Sequence, residues 1–190
     1  GGAAAFGWRA GAGVLLAWWG SHALVTLAPD IVLHVNGLSK SLGPGLRVGV
    51  LALPAGMIAA AETALHDLPF APSALSCAVI DEWLASDVIE SIQRDLAHEA
   101  RRRVTLARSL LGGAVIVTHP DAYHAWLPMP RDAADAFAAA AARSGVSLTP
   151  PGDVMVKCDD PASGVRLCLG SPSLEELTKA LTLLAGLLKR

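Results

Sequence analysis

The sequence predicts an α/β or α+β chain, on three observations. From residue 30 onward, short β-branched or apolar runs alternate with longer stretches of helical periodicity. Hydrophobic residues make up 53% of the chain and charged residues 17%, which supplies a buried core and argues against disorder. One long amphipathic stretch, residues 86–111, is able to join two domains. At 190 residues the chain holds one domain, or one and part of another. A net charge of −2 gives no whole-molecule attraction to nucleic acid or anionic lipid. Cys77, Cys158 and Cys168 are too few and too scattered for a disulfide framework or a zinc site, which fits a reducing, cytoplasmic setting. The six histidines show no metal spacing, so no metal is expected.

Residues 1–28 form an atypical leading segment. The apolar run from Ala10 to Gly20 is shorter than the roughly 20 residues a membrane span needs. Arg9, that run and Ser21-His22-Ala23 imitate a signal peptide, but the cytosolic character of the chain from Asp30 onward argues against one. Ile31-Val32-Leu33-His34-Val35 has the composition of a buried parallel strand. A small-residue loop comes next, and then a second strand over Leu46–Leu53 closed by Pro54. Helices are expected over 55–66 and 73–85, the latter with Ser73 as N-cap, separated by a proline-containing break over 67–72. The 86–111 helix carries Ile89, Ile92, Leu96, Ala100, Ala107 and Leu110 on one face and stops at Gly112-Gly113. At about 1.5 Å per residue it is roughly 40 Å long. Strands are expected over 114–118, 123–127, 146–149 and 165–169, and helices over 132–143 and 173–188. Ser173 and Glu176 have capping-box spacing. Cys168, on a strand, is expected to be a small core residue. Arg101-Arg102-Arg103 shares its helix with Glu90, Asp95 and Glu99, which indicates a solvated face rather than a nucleic-acid patch.

Lys40 asks for an explanation. Only four of the fifteen basic residues are Lys, and this one comes after an apolar strand amid Gly, Ser and Pro. A lysine amine that attacks a carbonyl must lose its proton, which partial burial favours. Such a lysine forms a Schiff base, and pyridoxal phosphate is the commonest carbonyl cofactor. Arg47, seven residues on, offers a forked donor set for a phosphate, and Ser39 and Ser41 offer hydroxyls. The same composition also describes a plain Gly/Pro turn with an exposed Lys and Arg.

The run Asn36-Gly-Leu-Ser-Lys-Ser-Leu-Gly-Pro-Gly-Leu-Arg-Val-Gly49 resembles the cofactor-lysine segment of fold-type I pyridoxal-phosphate aminotransferases. It is most similar to the MocR branch, which fuses a GntR-type winged helix to an aminotransferase-like domain. The resemblance implies that Lys40 holds the cofactor as an internal aldimine. It also implies that Arg47 binds the phosphate, with Ser39 as a further cofactor contact. Where relatives carry Ser or Thr three residues before the lysine, this chain has Gly37, which removes one phosphate contact. Gly164-Val-Arg-Leu-Cys-Leu169 resembles the late strand whose arginine clamps the substrate carboxylate, a role that falls on Arg166. Arg166 stands between apolar neighbours, where an unpaired charge is expensive and a bidentate carboxylate resolves the cost. The alternative is a strand arginine paired with Asp or Glu. Tyr123-His-Ala-Trp-Leu-Pro resembles the family's small-domain strand, with His124 and Trp126 in packing roles.

The resemblance covers about residues 29–188 and only the C-terminal half of the family's catalytic domain. It implies the end of a large, mostly parallel cofactor-binding domain over 29–85. After it come a linking helix over 86–112 and a small α+β domain over 113–190. The family's ring-stacking aromatic, ring-oxygen Asn, phosphate-cradling helix start and pyridine-nitrogen Asp have no counterpart before Asp30. Asp30 itself is a poor match for the last. The expectation is therefore a truncated, impaired transaminase acting on an amino acid or amine with a 2-oxo acid. Homodimerisation is expected in the full-length protein, and no nucleic acid or membrane contact by this segment. The alternative is the effector-sensing domain of a MocR/GntR-type transcription regulator.

Overall fold

The computed structural model describes residues 24–68, 72–117, 119–149, 151–153 and 162–189. The leading segment up to residue 23, including the signal-like run, and Cys158 lie outside the described residues. The chain divides into two compact units, residues 1–94 and 95–190.

In the first unit a short helix, α1 (Leu24–Leu27), precedes a two-stranded antiparallel ribbon of β1 (His34–Gly37) and β2 (Gly49–Ala52). Helices α2 (Ile58–His66) and α3 (Ala74–Leu84) come next. The α3 N-cap is Ser73, whose hydroxyl accepts from the Ser76 N–H at 3.5 Å. Leu38, Leu42, Val48, Ile80 and Ile89 form the core of this unit, flanked by Leu46, Val50, Cys77, Trp83, Leu84 and Ile92.

The expected buried parallel strand over 31–35 is corrected. Ile31 and Val32 both donate their N–H to the Ala28 carbonyl in a turn, so the strand begins only at His34. It pairs with β2, the next strand in sequence, because a loop of modest length returns the chain antiparallel. Ile31, Leu33 and Val35 are exposed. Among the described residues both sheets are two-stranded and antiparallel.

α4 (Val88–Leu111) crosses the division between the units. It ends at Gly112, whose φ of 60° is the left-handed conformation that favours glycine at helix ends. The second unit pairs β3 (His124–Pro130) with β4 (Ala162–Cys168), Trp126 opposite Arg166 and Leu127 opposite Val165. Of the two further strands expected here, only single bridges form, Ile116 with Trp126 and Thr149 with Arg166. Residues 112–114 instead make a 3-10 turn. α5 (Arg131–Arg143) closes with Gly145 at φ 82°. There the Val146 N–H donates to the Ala141 carbonyl and the Gly145 N–H to that of Ala142, a Schellman end. α6 (Leu174–Leu187) opens with the capping box expected of Ser173 and Glu176.

One face of the β3–β4 pair supplies Ala125, Leu127, Val165 and Leu167 to the core. Val104 and Ala107 of α4, Ala134 and Ala141 of α5, and Leu177, Leu181 and Leu184 of α6 complete it. No described helix is long and apolar enough to cross a membrane.

Candidate functional site

The Leu38 N–H donates to the Val48 carbonyl at 3.1 Å, one step beyond the Gly37–Gly49 pair, and closes residues 39–47 into a loop. Within it the Leu38 carbonyl accepts from the N–H groups of Leu42 (2.9 Å) and Gly43 (3.2 Å), winding one helical turn. That turn sends Leu38 and Leu42 into the core and leaves Lys40 exposed. The partial burial expected of Lys40 is thus corrected: an i, i+4 pair of leucines points the residue between them outward. Ser39 is half-buried. Ser41 is buried, and its hydroxyl has no hydrogen-bond partner among the described residues.

Pro44–Leu46 make a 3-10 turn, and Arg47 ends it at φ 53°, ψ 37°. Arg47 alone among the described non-glycine residues has positive φ. Its side chain is exposed and, like that of Lys40, makes no ion pair among the described residues. The loop therefore carries an amine, a guanidinium and two hydroxyl groups, one of them orphaned.

Arg166 lies in the second unit, half-buried on β4. One terminal nitrogen donates to the Thr149 hydroxyl at 3.3 Å, while its Nε is buried without an acceptor among the described residues. No Asp or Glu among the described residues pairs with it. Strand alternation explains Cys168. Val165, Leu167 and Leu169 are buried, so Arg166 and Cys168 point to the other side. Cys168 is exposed, not a core residue. Thr149 escapes sequence reasoning because a single bridge leaves no strand pattern.

The Arg101–Arg103 cluster is only partly a solvated face. Arg101 pairs with Asp121. Arg103 is 11% exposed; its Nε binds Glu99 at 2.8 Å. Its Nη1 donates to the carbonyls of Leu169 (2.6 Å) and Pro172 (2.7 Å). It ties α4 to the end of β4. Nearby, the Tyr123 hydroxyl donates to the Leu96 carbonyl at 3.1 Å. Burial pushes the Tyr123 phenol above its usual range, with Arg103 opposing and Glu99 and Asp121 adding. Trp126, opposite Arg166, covers Gly164: a Cβ there would overlap the indole and the Leu127 carbonyl oxygen. His124 is exposed on the same strand, and no described cluster has the makings of a metal site.

Comparison with known proteins gives a consistent result. The family described as aminotransferase class I and II matches residues 5–184. A protein of Bacillus subtilis (strain 168), described as an uncharacterized HTH-type transcriptional regulator YdeF, is 30% identical over 168 residues. That match covers 87% of this chain and 36% of the relative, so the chain spans about a third of the relative's length. Among solved structures, the α-aminoadipate aminotransferase LysN of Thermus thermophilus, complexed with N-(5'-phosphopyridoxyl)-L-leucine, aligns with a TM-score of 0.70 at 20% identity. The alignment covers 88% of this chain and 45% of that one. An archaeal alanine:glyoxylate aminotransferase aligns with a TM-score of 0.65 at 24% identity, covering 80% of this chain and 39% of its own. These structural likenesses establish an aminotransferase-like α/β fold.

Proposed function

Because the chain belongs to the aminotransferase class I and II family, we propose that it binds pyridoxal 5'-phosphate on the 39–47 loop and an amino-acid-type substrate at Arg166. The observation that carries this reading is the donor set gathered on the 39–47 loop. Lys40 and Arg47 are exposed and make no ion pairs among the described residues, and the Ser41 hydroxyl between them in sequence is buried without a described partner. An amine suits the cofactor's aldehyde, and a guanidinium with hydroxyls suits its phosphate, so these residues fit the group.

When bound, pyridoxal phosphate supplies an aldehyde that captures an amine and a ring that delocalises the electrons left by a departing proton. Lys40 would hold it through Nζ, and Arg47, with Ser39, its phosphate. Arg166 would orient the substrate by two parallel N–H donors to its carboxylate, steadied by the Thr149 hydroxyl. A free Lys40 Nζ would be able to accept a proton as general base. Gly37 offers no side chain to the phosphate, so Arg47 and Ser39 bear more of it. We assign the same reading an amino acid or amine with a 2-oxo acid as substrates, and a homodimer as the full-length state.

Titration of the chain with pyridoxal phosphate, followed by absorbance, tests the cofactor site. The spectrum of lysine-bound cofactor is expected with the wild type and is absent with Lys40→Ala. Identical spectra for the two would overturn the reading.

A second reading has its own support, the 30% identical relative described as a transcriptional regulator. In it, cofactor and amino ligand form a signal rather than turn over. The full-length gene product separates the two. Conversion of amino acid and 2-oxo acid supports the enzyme; ligand-dependent DNA binding without conversion supports the regulator.

A further inference from the structure

The second unit contains a cavity of about 730 Å³, within the range of small-molecule sites. It runs along the edge of β4, since consecutive residues Arg166 to Leu169 from both faces of the strand line it. Val146, Leu148, Leu177, Ala180, Leu181 and Leu184 give it an apolar wall. Three charged residues lie on the described wall, Arg166, Glu176 and Lys179. Two of them are already satisfied. The Glu176 carboxylate accepts from the Ser173 N–H at 2.8 Å and hydroxyl at 2.7 Å, and Lys179 pairs with Glu175 at 2.6 Å. Arg166 is the exception, with no ion pair among the described residues and with its Nε buried and unpartnered.

We infer that this cavity receives the tail of an amphipathic carboxylate, an amino acid or 2-oxo acid with an apolar side chain, whose head group binds Arg166. The inference rests on the carboxylate role assigned to Arg166 and adds the side-chain class. Glu176 and Lys179 are engaged with Ser173 and Glu175, so an acidic or basic side chain gains less here than an apolar one and loses hydration against the leucines and Ala180. An aliphatic tail gains about 0.8 kcal/mol for each buried methylene, which is roughly fourfold in affinity.

Calorimetric titration of the chain with straight-chain 2-oxo acids of four to eight carbons, without cofactor, reads this directly. The dissociation constant is expected to fall about fourfold per methylene until the cavity is full. Arg166→Gln should weaken every acid by a similar factor of ten or more and keep the slope. Ala180→Phe, which fills the cavity from a half-buried position, should flatten the slope and spare the shortest acid. A flat series in the wild type overturns the inference; if that flat binding still needs Arg166, the carboxylate role survives without the cavity. A steep series indifferent to Arg166→Gln overturns both. An unchanged slope in Ala180→Phe removes the tail from this cavity.

Discussion

Arg47 stands at φ 53°, a conformation that costs a non-glycine residue about 1 kcal/mol or more. Glycine in its place relieves that strain but adds chain entropy on unfolding of similar size. Arg47→Gly is therefore expected to leave stability within about 1 kcal/mol by urea denaturation, because these two effects oppose. Its affinity for pyridoxal phosphate should fall at least tenfold, since a charge-assisted phosphate bond is lost. A large loss of stability with unchanged affinity would make Arg47 a structural residue. Arg103 is the opposite case. Its guanidinium holds two carbonyl groups and Glu99, so Arg103→Ala should cost about 2–3 kcal/mol in denaturant unfolding. Gly164→Ala should cost about 1–3 kcal/mol, because the added methyl meets backbone and the Trp126 indole. A fully stable Gly164→Ala variant would place the indole elsewhere.

At the scale of elements, α6 shows a local motif acting as its residues dictate. Ser173 and Glu176 exchange hydrogen bonds, and those bonds hold the Glu176 carboxyl below its ordinary value near 4.5. A depressed folded value stabilises the native state above the unfolded value, and that contribution fades as pH falls through the depressed one. Ser173→Ala should cost about 1 kcal/mol at neutral pH. The difference from wild type should shrink as the pH is lowered below the ordinary glutamate value. A gap that widens on acidification would contradict the capping box. Helices are legible for this reason: caps, glycine stops and 3.6-residue periodicity act within a few residues. The starts of α3 and α6, and the ends of α4 and α5 at Gly112 and Gly145, come directly from such signals. Strands are less so. Ile31-Val32-Leu33 has strand composition, yet the N–H groups of Ile31 and Val32 are spent on a turn at Ala28. The 114–118 and 146–149 segments each have one bridge, because pairing depends on a distant partner the segment does not encode. Cys168 departs from its expected burial through alternation: it shares the face of Arg166, not that of Leu167.

At the scale of the whole molecule, the first unit leaves much apolar surface exposed. Val35 and Leu51 are directly paired across β1 and β2, yet they are 77% and 46% exposed. Leu33 and Ile31 are exposed as well. A ribbon that is two-stranded among the described residues and has apolar side chains exposed invites association. Size-exclusion chromatography across a concentration series should show self-association that Val35→Lys reduces; a monomer at every concentration would contradict this. The candidate site is legible unevenly at this scale. The Lys40–Arg47 run is visible because one short loop carries it whole. The orphaned Ser41 hydroxyl and the Thr149 support of Arg166 depend on burial and on a contact across 17 residues, which no local pattern records. The exposure of Lys40 likewise comes from how Leu38 and Leu42 anchor their turn.

The proposed role of Lys40 is to hold pyridoxal phosphate through its Nζ. Borohydride reduction in the presence of pyridoxal phosphate, followed by peptide mass mapping, tests it most directly. One dominant phosphopyridoxyl adduct is expected on Lys40, diminished strongly in Arg47→Gly. Modification spread evenly over Lys157, Lys179 and Lys189, or no adduct on Lys40, would contradict it.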